Sequence, residues 1–424
     1  MIDAPGADLQ RRLGLVLLLG GAVLVAGLTL TPQPDQVVAS GRTSMICLWC
    51  GDLGTIDVVL NLLLFVPLGA GLALVGVRPG LAVAGMALLS LAVETAQLTL
   101  IVGRDASLSD LLTNSAGGAA GVLLARSWRG WILCGPAEAR RLALAAGIAW
   151  LLVAVLSCVA LRPAPTTLLY YGQLAPELGG FALYRGEVVA ATVSGLPVVE
   201  GPLRGSDRTQ ADLERGSFRF SARTRTGTAP LGLAPVVRLA DQEYAEIALL
   251  GQDGDALVFR VRLAAARLGL RVPGARLAAV FPSGERAQGS TRDLEGDFDG
   301  HSLRVRAVDG GITREWRVAF GPHLGWALWL PVRFELRAGT IVLDVLWVAA
   351  WFGLGGWWLG RWPVRRPANR LGFVAVVAAM SLCLVPLLFG FPVSPLHAWI
   401  GAVIGAAAGL RLSRAILAHA APPT

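Results

Sequence analysis

Long, nearly unbroken apolar runs dominate this sequence of 424 residues. A helix that crosses a membrane needs about 20 mostly apolar residues, and eight segments meet this requirement. They cover residues 13–31, 58–77, 80–101, 108–127, 141–161, 340–360, 370–391 and 395–417. Of all residues, 54% are hydrophobic and only 16% are charged, whereas charged residues make up about 25% of a soluble domain. The sequence therefore excludes a soluble enzyme, a secreted disulfide scaffold and a disordered chain, and it predicts an integral membrane protein.

The apolar runs form two groups, and a segment of ordinary soluble composition lies between them. We predict an N-terminal transmembrane domain of about five helices at residues 1–161 and a C-terminal one of about three helices at residues 339–424. Residues 162–338 form the inserted, water-exposed domain. The segments at 108–127 and 395–417 are the least apolar of the eight.

The arginines indicate how the chain is oriented in the membrane. Every one of the 37 basic residues is arginine, and the net charge is +8. Fifteen arginines lie outside residues 162–338, and with eight spans thirteen of them fall on one side, leaving Arg42 and Arg104 on the other. Since basic residues collect in cytoplasmic loops, we predict cytoplasmic termini and an extracytoplasmic inserted domain, in the inner (cytoplasmic) membrane of a bacterium. A cleaved signal peptide is the alternative for residues 13–31.

The inserted domain shows short segments that alternate apolar and polar side chains, as half-buried strands do. These segments cover residues 217–223, 256–262 and 302–308. Turn signals punctuate them at Asp253-Gly254, Asp299-Gly300 and Asp309-Gly310-Gly311. With no long helix in the segment, the pattern predicts an antiparallel, jelly-roll-like β-sandwich. Residues 296–310 resemble the laminin-G/concanavalin-A-like fold, which implies a glycan partner; a structural or protein-binding sandwich is the alternative.

Acidic pairs in the inserted domain are candidates for a calcium site. The pairs are Asp253 with Asp255 and Asp297 with Asp299. Calcium takes six to eight oxygen ligands, so two turns rich in aspartate are the simpler interpretation. The chain also has four histidines without the spacing of metal ligands, His301, His323, His397 and His419. We therefore predict no metal ion and no cofactor.

One cysteine pair, Cys47 and Cys50, lies in the first outer loop. A C-x-x-C motif outside the cytoplasm forms either a redox pair or a local disulfide. No thioredoxin-like βαβ context surrounds this motif, so we favour the disulfide. The other three cysteines fall within spans or on the inner side, and we expect Cys134, Cys158 and Cys383 to be unpaired.

Polar residues within spans two to four carry the chemistry of the N-terminal domain. They form the pairs Asp57 and Asn61, Glu94 and Gln97, and Asp110 and Asn114. The residues of each pair are three or four positions apart, so each pair lies on one helix face. Under the predicted orientation all six lie in the outer half of the membrane, with Arg104 at its mouth. An ionised group at this depth requires a partner, and we predict that these seven residues form one polar cluster.

Two interpretations of the polar cluster are open. Intramembrane polar side chains also hold helices together, so the cluster could serve only as a packing clamp. The convergence of three acids, three amides and one arginine from three helices favours a binding or catalytic site instead.

The order of these residues resembles the VanZ-like family of bacterial membrane proteins over about residues 10–125. The resemblance rests on D-x3-N-x3-F-x-P-x-G, followed by E-x2-Q, G-R and D-x3-N-x2-G-x3-G. It places family positions at Asp57, Asn61, Phe65, Pro67, Gly69, Glu94, Gln97, Arg104, Asp110, Asn114, Gly117 and Gly121. The namesake of the family is associated with low-level resistance to the glycopeptide teicoplanin, so the resemblance suggests a link of this chain to glycopeptide resistance. The inserted domain and the three C-terminal spans extend beyond the short family form.

The C-terminal spans lack the polar positions of the N-terminal domain. Residues 400–409 nevertheless repeat the small-residue rhythm of the fourth span. We interpret the three C-terminal spans as scaffold, and a degenerate repeat is the alternative.

We expect a non-enzymatic envelope protein with an outer-leaflet pocket for a lipid or glycan head group and a sandwich that binds glycan or an envelope partner. One alternative is an intramembrane enzyme, with Glu94 or Asp110 as the acid–base group and Arg104 stabilising an oxyanion. A lipid transporter is another, although the inner halves of spans two to four contain no acids. Nucleic acid is not expected as a partner, because no arginine-rich face is interleaved with aromatic residues.

Overall fold

The structure is a computed structural model of the chain. It describes residues 5–31, 49, 53–101, 107–166, 169–281, 289–362 and 367–420. Within these ranges, seven helices are long and apolar enough to cross a membrane, and the strands between them form two β-sheets. The predicted combination of a helical membrane part with an inserted all-β domain is therefore confirmed.

The chain divides into two compact units, Met1–Glu138 and Ala139–Thr424. The fifth predicted span, residues 141–161, belongs to the second unit and packs against the C-terminal helices. Trp150 of that helix is almost fully buried, and its ring lies 5.7 Å from that of Trp351 and 6.1 Å from that of Phe352.

Four helices form the described part of the first unit. They are α1 (Pro5–Thr29), α2 (Gly54–Leu74), α3 (Pro79–Thr99) and α4 (Leu108–Ile132). Pro79 begins α3, where its missing N–H costs no intrahelical hydrogen bond. α4 covers the predicted span at 108–127, but it is not one of the seven apolar helices because polar residues and glycines interrupt its apolar sequence.

Glycines bring α2 and α4 into backbone contact. A Cβ atom at Gly117 would overlap the carbonyl oxygen of Leu62, and one at Gly69 would overlap that of Gly118. Only residues without a side chain permit this spacing. The close contact fixes the register of the two helices and brings their N-terminal polar residues together.

The described strands of the second unit form a sandwich of two sheets. They are β1 (Tyr171–Leu174), β2 (Glu187–Val193), β3 (Leu196–Pro197), β4 (Gly201–Pro202), β5 (Phe218–Arg225), β6 (Leu233–Ala240), β7 (Glu246–Asp253), β8 (Ala256–Val261), β9 (Gly274–Leu277), β10 (Thr291–Phe298), β11 (Ser302–Asp309), β12 (Ile312–Ala319) and β13 (Glu335–Leu336). One sheet has the order β13-β9-β8-β7-β6-β1-β4 and the other β12-β11-β10-β5-β2-β3. All pairs are antiparallel except β13 with β9. The rings of Phe218 in β5 and Phe259 in β8 stack at 6.4 Å between the sheets.

The predicted strands and turns of the sandwich agree with the structure. β5, β8 and β11 overlap the three alternating segments, and β5 and β11 alternate buried with more exposed residues, whereas β8 is buried at nearly every position. Asp-Gly turns join β7 to β8, β10 to β11 and β11 to β12. Gly254 and Gly300 have φ values of +61° and +81°, a region that favours glycine. A ten-residue helix, α6 (Ser206–Arg215), was not expected, and left-handed glycines at both of its ends delimit it.

Arginines pair with the acids that were candidate calcium ligands. Asp297 contacts Arg219 at 2.6 Å and Arg304 at 3.4 Å. The other three acids also have arginine partners, in the pairs Asp253–Arg276, Asp255–Arg276 and Asp299–Arg317. These ion pairs support the interpretation of the acidic residues as parts of turns and strands.

Helices flank the sandwich in sequence. They are α5 (Pro136–Ala160), α8 (Ile341–Arg361), α9 (Pro367–Ala379), α10 (Val385–Leu388) and α11 (Leu396–Ala420), whereas the short α7 (Ala264–Arg267) lies between β8 and β9. A π-helical turn, Met380–Leu384, joins α9 to α10, and a 3-10 helix, Pro322–Trp329, lies between β12 and α8.

The helices α8 and α11 pack in the same register as α2 and α4. Gly405 of α11 lies against the carbonyl oxygen of Ala349 in α8, as Gly117 lies against that of Leu62. Both carbonyls come five residues after an aspartate in the first turn of the helix, Asp57 in α2 and Asp344 in α8. Each aspartate is followed at the same spacings by a buried phenylalanine and a buried glycine, Phe65 and Gly69 in α2 and Phe352 and Gly356 in α8. This agreement favours the degenerate repeat over a plain scaffold.

Candidate functional site

The polar cluster of the first unit gathers side chains at one end of its four helices. α1 and α3 end there, and α2 and α4 begin there. The contributing residues are Thr29 from α1, Asn61 from α2, Glu94 and Gln97 from α3, and Ser107 and Asp110 at the start of α4.

A hydrogen bond joins α2 to α4 within this cluster. The amide Nδ2 of Asn61 donates to Oδ1 of Asp110 over 2.6 Å. Ser107 caps α4, because its Oγ accepts a hydrogen bond from the Asp110 N–H at 3.0 Å. Asp110 lies in the first turn of α4, where the helix dipole stabilises its negative charge.

Glu94 joins the end of α3 to the beginning of α4. Its side chain is buried, and its Oε2 accepts a hydrogen bond from the backbone N–H of Ser107 at 2.9 Å. A buried carboxyl group needs such a donor to offset its lost hydration. The carboxyl groups of Glu94 and Asp110 thus both lie at the helix end where α3 stops and α4 starts.

Amide oxygens in this cluster are buried without hydrogen-bond partners. Gln97 donates from Nε2 to the carbonyl oxygen of Thr29 at 2.9 Å, but its Oε1 has no partner among the described residues. Asn114 Oδ1 and Ser90 Oγ are likewise buried and unpartnered within this part of the chain. Each such atom costs about 1–3 kcal/mol, so at each of these atoms a hydrogen-bond donor from a ligand or water would be stabilising.

The other predicted site residues are Asp57, Arg104 and the cysteines Cys47 and Cys50. Asp57 is exposed, one turn before Asn61 on α2. Arg104 and the candidate disulfide residues Cys47 and Cys50 lie outside the described residues. The structure thus brings together Asn61, Glu94, Gln97, Asp110 and Asn114 at one helix end.

The second unit contains a cluster of two histidines and one aspartate that was not predicted from the sequence. Ligand-type atoms of His323, Asp344 and His397 all lie within 4.8 Å of one another. His397 Nε2 is 3.0 Å from Asp344 Oδ2, and the rings of His323 and His397 have centroids 5.6 Å apart. The three residues are far apart in sequence, so no spacing could reveal them. An available signal was the placement of an acid and a histidine in the first turns of two apolar helices.

Burial keeps His323 neutral. Its side chain lies almost wholly inside the protein, and desolvation, followed by the nearby His397, lowers its pKa to about 3, against an opposing hydrogen bond to the Ala319 backbone. Its Nδ1 atom has no hydrogen-bond partner in the described ranges.

Comparison with known proteins identifies the N-terminal helices. Residues 21–129 match the family model described as VanZ/LLP1. This range contains all of the motif positions from Asp57 to Gly121, while the sandwich lies outside it. No curated protein and no solved structure matches the chain. The resemblance carried by the motif is thus confirmed, and we conclude that residues 21–129 are a VanZ-like membrane region.

Proposed function

We propose that this chain is a VanZ-like integral membrane protein of the bacterial envelope whose polar cluster binds the head group of a lipid or a lipid-linked glycan. The observation that carries the proposal is the pair of buried, unpartnered amide oxygens of Gln97 and Asn114 in a cluster with Glu94. All three groups supply acceptor oxygens. The matching head group therefore offers donors, such as sugar hydroxyls or an ammonium group.

The predicted orientation of the chain indicates the membrane leaflet from which the proposed ligand binds. The arginine distribution favours an extracytoplasmic position for the helix end that carries the cluster, and hence a ligand from the outer leaflet. Arg104, which precedes α4 in sequence, would then contact a phosphate or carboxylate of that ligand. A phosphatase reporter inserted near residue 250 should be active, and activity of a cytoplasm-dependent reporter at that position would contradict the orientation.

The family association suggests a role in glycopeptide susceptibility. Expression of this chain in a susceptible bacterium should raise tolerance to teicoplanin, and Gln97→Leu should abolish the increase at equal protein abundance. Ser115→Ala is the matched control, because Ser115 Oγ donates to the Leu111 carbonyl oxygen of its own helix. Equal tolerance with the wild type and Gln97→Leu would contradict a role of the cluster.

The enzyme alternative makes a different prediction for Glu94. If Glu94 or Asp110 served as an acid–base group, Glu94→Gln would abolish function while preserving the shape of the side chain. Head-group binding instead requires only an acceptor oxygen at this position. We expect Glu94→Gln to retain most of the tolerance, and its complete loss in a folded variant would favour the enzyme.

We also propose that the sandwich is a concanavalin-A/laminin-G-like glycan-binding domain. A polar cleft beside β1 and β6 is lined by Tyr171, Gln173, Glu200, Asp241 and Tyr244. Tyr244 is 75% exposed and has a φ of +61°, so the chain holds an aromatic ring at the cleft in a conformation that L residues rarely adopt.

A glycan array tests this cleft directly. Tyr244→Ala should remove binding of the wild-type protein to envelope glycans. Leu231→Ala, at a fully exposed position between β5 and β6, is the matched control. Binding that survives in Tyr244→Ala would contradict the assignment of the cleft.

A further inference from the structure

We propose that the second unit binds a divalent transition-metal ion of the zinc type through His323, Asp344 and His397. The three side chains come from separate elements: the 3-10 helix after β12, the first turn of α8 and the first turn of α11. Their ligand-type atoms lie within 4.8 Å of one another. The proposal does not depend on the head-group site of the first unit.

The donor set selects the class of metal. Two imidazoles and one carboxylate suit zinc and neighbouring transition metals, whereas calcium and magnesium require mostly oxygen ligands. Ligand atoms around tetrahedral zinc lie roughly 3.3 Å apart. The 3.0 Å separation of His397 Nε2 and Asp344 Oδ2 is close to this spacing, and the remaining ligand atom lies within 4.8 Å of both residues. Three protein ligands leave a fourth position for water.

Neighbouring groups orient the proposed ligands. Trp326 Nε1 donates to Asp344 Oδ1 at 2.8 Å, which leaves Oδ2 directed to His397. Trp347 Nε1 donates to the carbonyl oxygen of Pro322 at 3.2 Å and so holds the segment that carries His323. Outer hydrogen bonds of this kind fix the orientation of metal ligands.

The buried His323 ring supports a metal site over a simple ion pair. A structural pair of His397 with Asp344 would account for two of the three residues. It would leave Nδ1 of His323, a side chain only 3% exposed, without a partner among the described residues. A metal ion offers that Nδ1 atom a bonding partner in an otherwise closed environment. His397, which is partly exposed, provides the route of access.

The test measures zinc in the full chain, purified in detergent with an affinity tag that contains no histidine. Cys47 and Cys50 are first replaced by serine, because a C-x-x-C pair also binds zinc. After chelator treatment and gel filtration, we expect the parent protein to retain one equivalent of added zinc. His397→Gln and Asp344→Asn should each lower the affinity at least about 10-fold. His301→Gln, outside the cluster, is the matched control and should bind as the parent does.

Cobalt provides an independent readout, since its spectrum distinguishes nitrogen and oxygen ligands from thiolates. Zinc should also raise the thermal stability of the parent protein, and magnesium should not. The thermal stability of the parent protein tests zinc binding even if both ligand variants fail to fold. A chelated parent that neither takes up zinc nor gains stability from it would overturn the proposal, as would folded His397→Gln and Asp344→Asn proteins that both bind zinc like the parent.

Discussion

Asn61 and Asp110 join helices α2 and α4 through a 2.6 Å hydrogen bond between the amide of one and the carboxylate of the other. Both residues lie near the N-terminal ends of their helices, and the glycine contacts between these helices fix their register. This bond therefore connects the packing of α2 against α4 with the polar cluster of the VanZ-like region.

Replacing Asn61 by Leu should destabilise the first unit. The substitution preserves side-chain volume but leaves the Asp110 carboxylate without this donor, at a cost of about 1–3 kcal/mol. Unfolding in mixed detergent measures this cost. The control Ser115→Ala removes only a bond within one helix, and an equal loss in both variants would contradict the inferred importance of the interhelical bond.

Gly117→Ala should separate α2 from α4. The new Cβ would overlap the Leu62 carbonyl oxygen, and overpacking of this kind costs about 1–3 kcal/mol. Gly85→Ala is the matched control, because a Cβ at Gly85 meets no atom within 4 Å. We expect reduced thermal stability for the first variant and unchanged or slightly higher stability for the second; the reverse order would contradict the packing described for these helices.

Much of the fold could be predicted because its determinants are local. Apolar length identified the membrane helices, and Asp-Gly turns identified three strand connections of the sandwich. The pairing order of the two sheets depends on contacts between distant strands, which alternation alone does not encode. The helix α6 was missed because its residues 206–215 carry little apolar signal, and its glycine boundaries resemble those of turns.

The polar cluster could be predicted in part. Helix periodicity places each pair of polar residues on one helix face, and the predicted spans place all pairs at a similar depth in the membrane. Glu94, Gln97, Asp110 and Asn114 are well buried or partly buried at one helix end, whereas Asp57 is exposed on the first turn of α2. The sequence could indicate Asp344 and His397 as polar residues in the first turns of two apolar helices, but not their meeting with His323, because a 3-10 helix must lie near those turns. That placement is a tertiary property.

Asp299 should make the stability of the sandwich depend on pH. Burial raises the pKa of this carboxyl, but hydrogen bonds from His301 and Ser302 and the charge of Arg317 outweigh burial, so its pKa lies below the ordinary value. Ionised Asp299 therefore stabilises the fold above an unfolded pKa of about 3.9. This stabilisation is lost as the pH falls through the lower folded pKa.

Melting of the full chain in detergent between about pH 2 and pH 6 tests this dependence. Asp299→Asn should flatten the decline at acidic pH. Arg317→Gln should instead shift the decline to higher pH, because it removes the positive charge that favours the carboxylate. Three coincident melting profiles would show that Asp299 does not contribute.

Native mass spectrometry of the protein released from detergent tests the proposed head-group site most directly. The wild type should carry a bound lipid or lipid-linked glycan, and Asn114→Leu, which replaces a buried acceptor by an apolar side chain of similar size, should lose it. Ser115→Ala, the adjacent position on α4, should retain it. Loss in Asn114→Leu alone is the result that head-group binding predicts. An adduct of equal occupancy in all three proteins, or no adduct in the wild type even after incubation with envelope lipids, would contradict it.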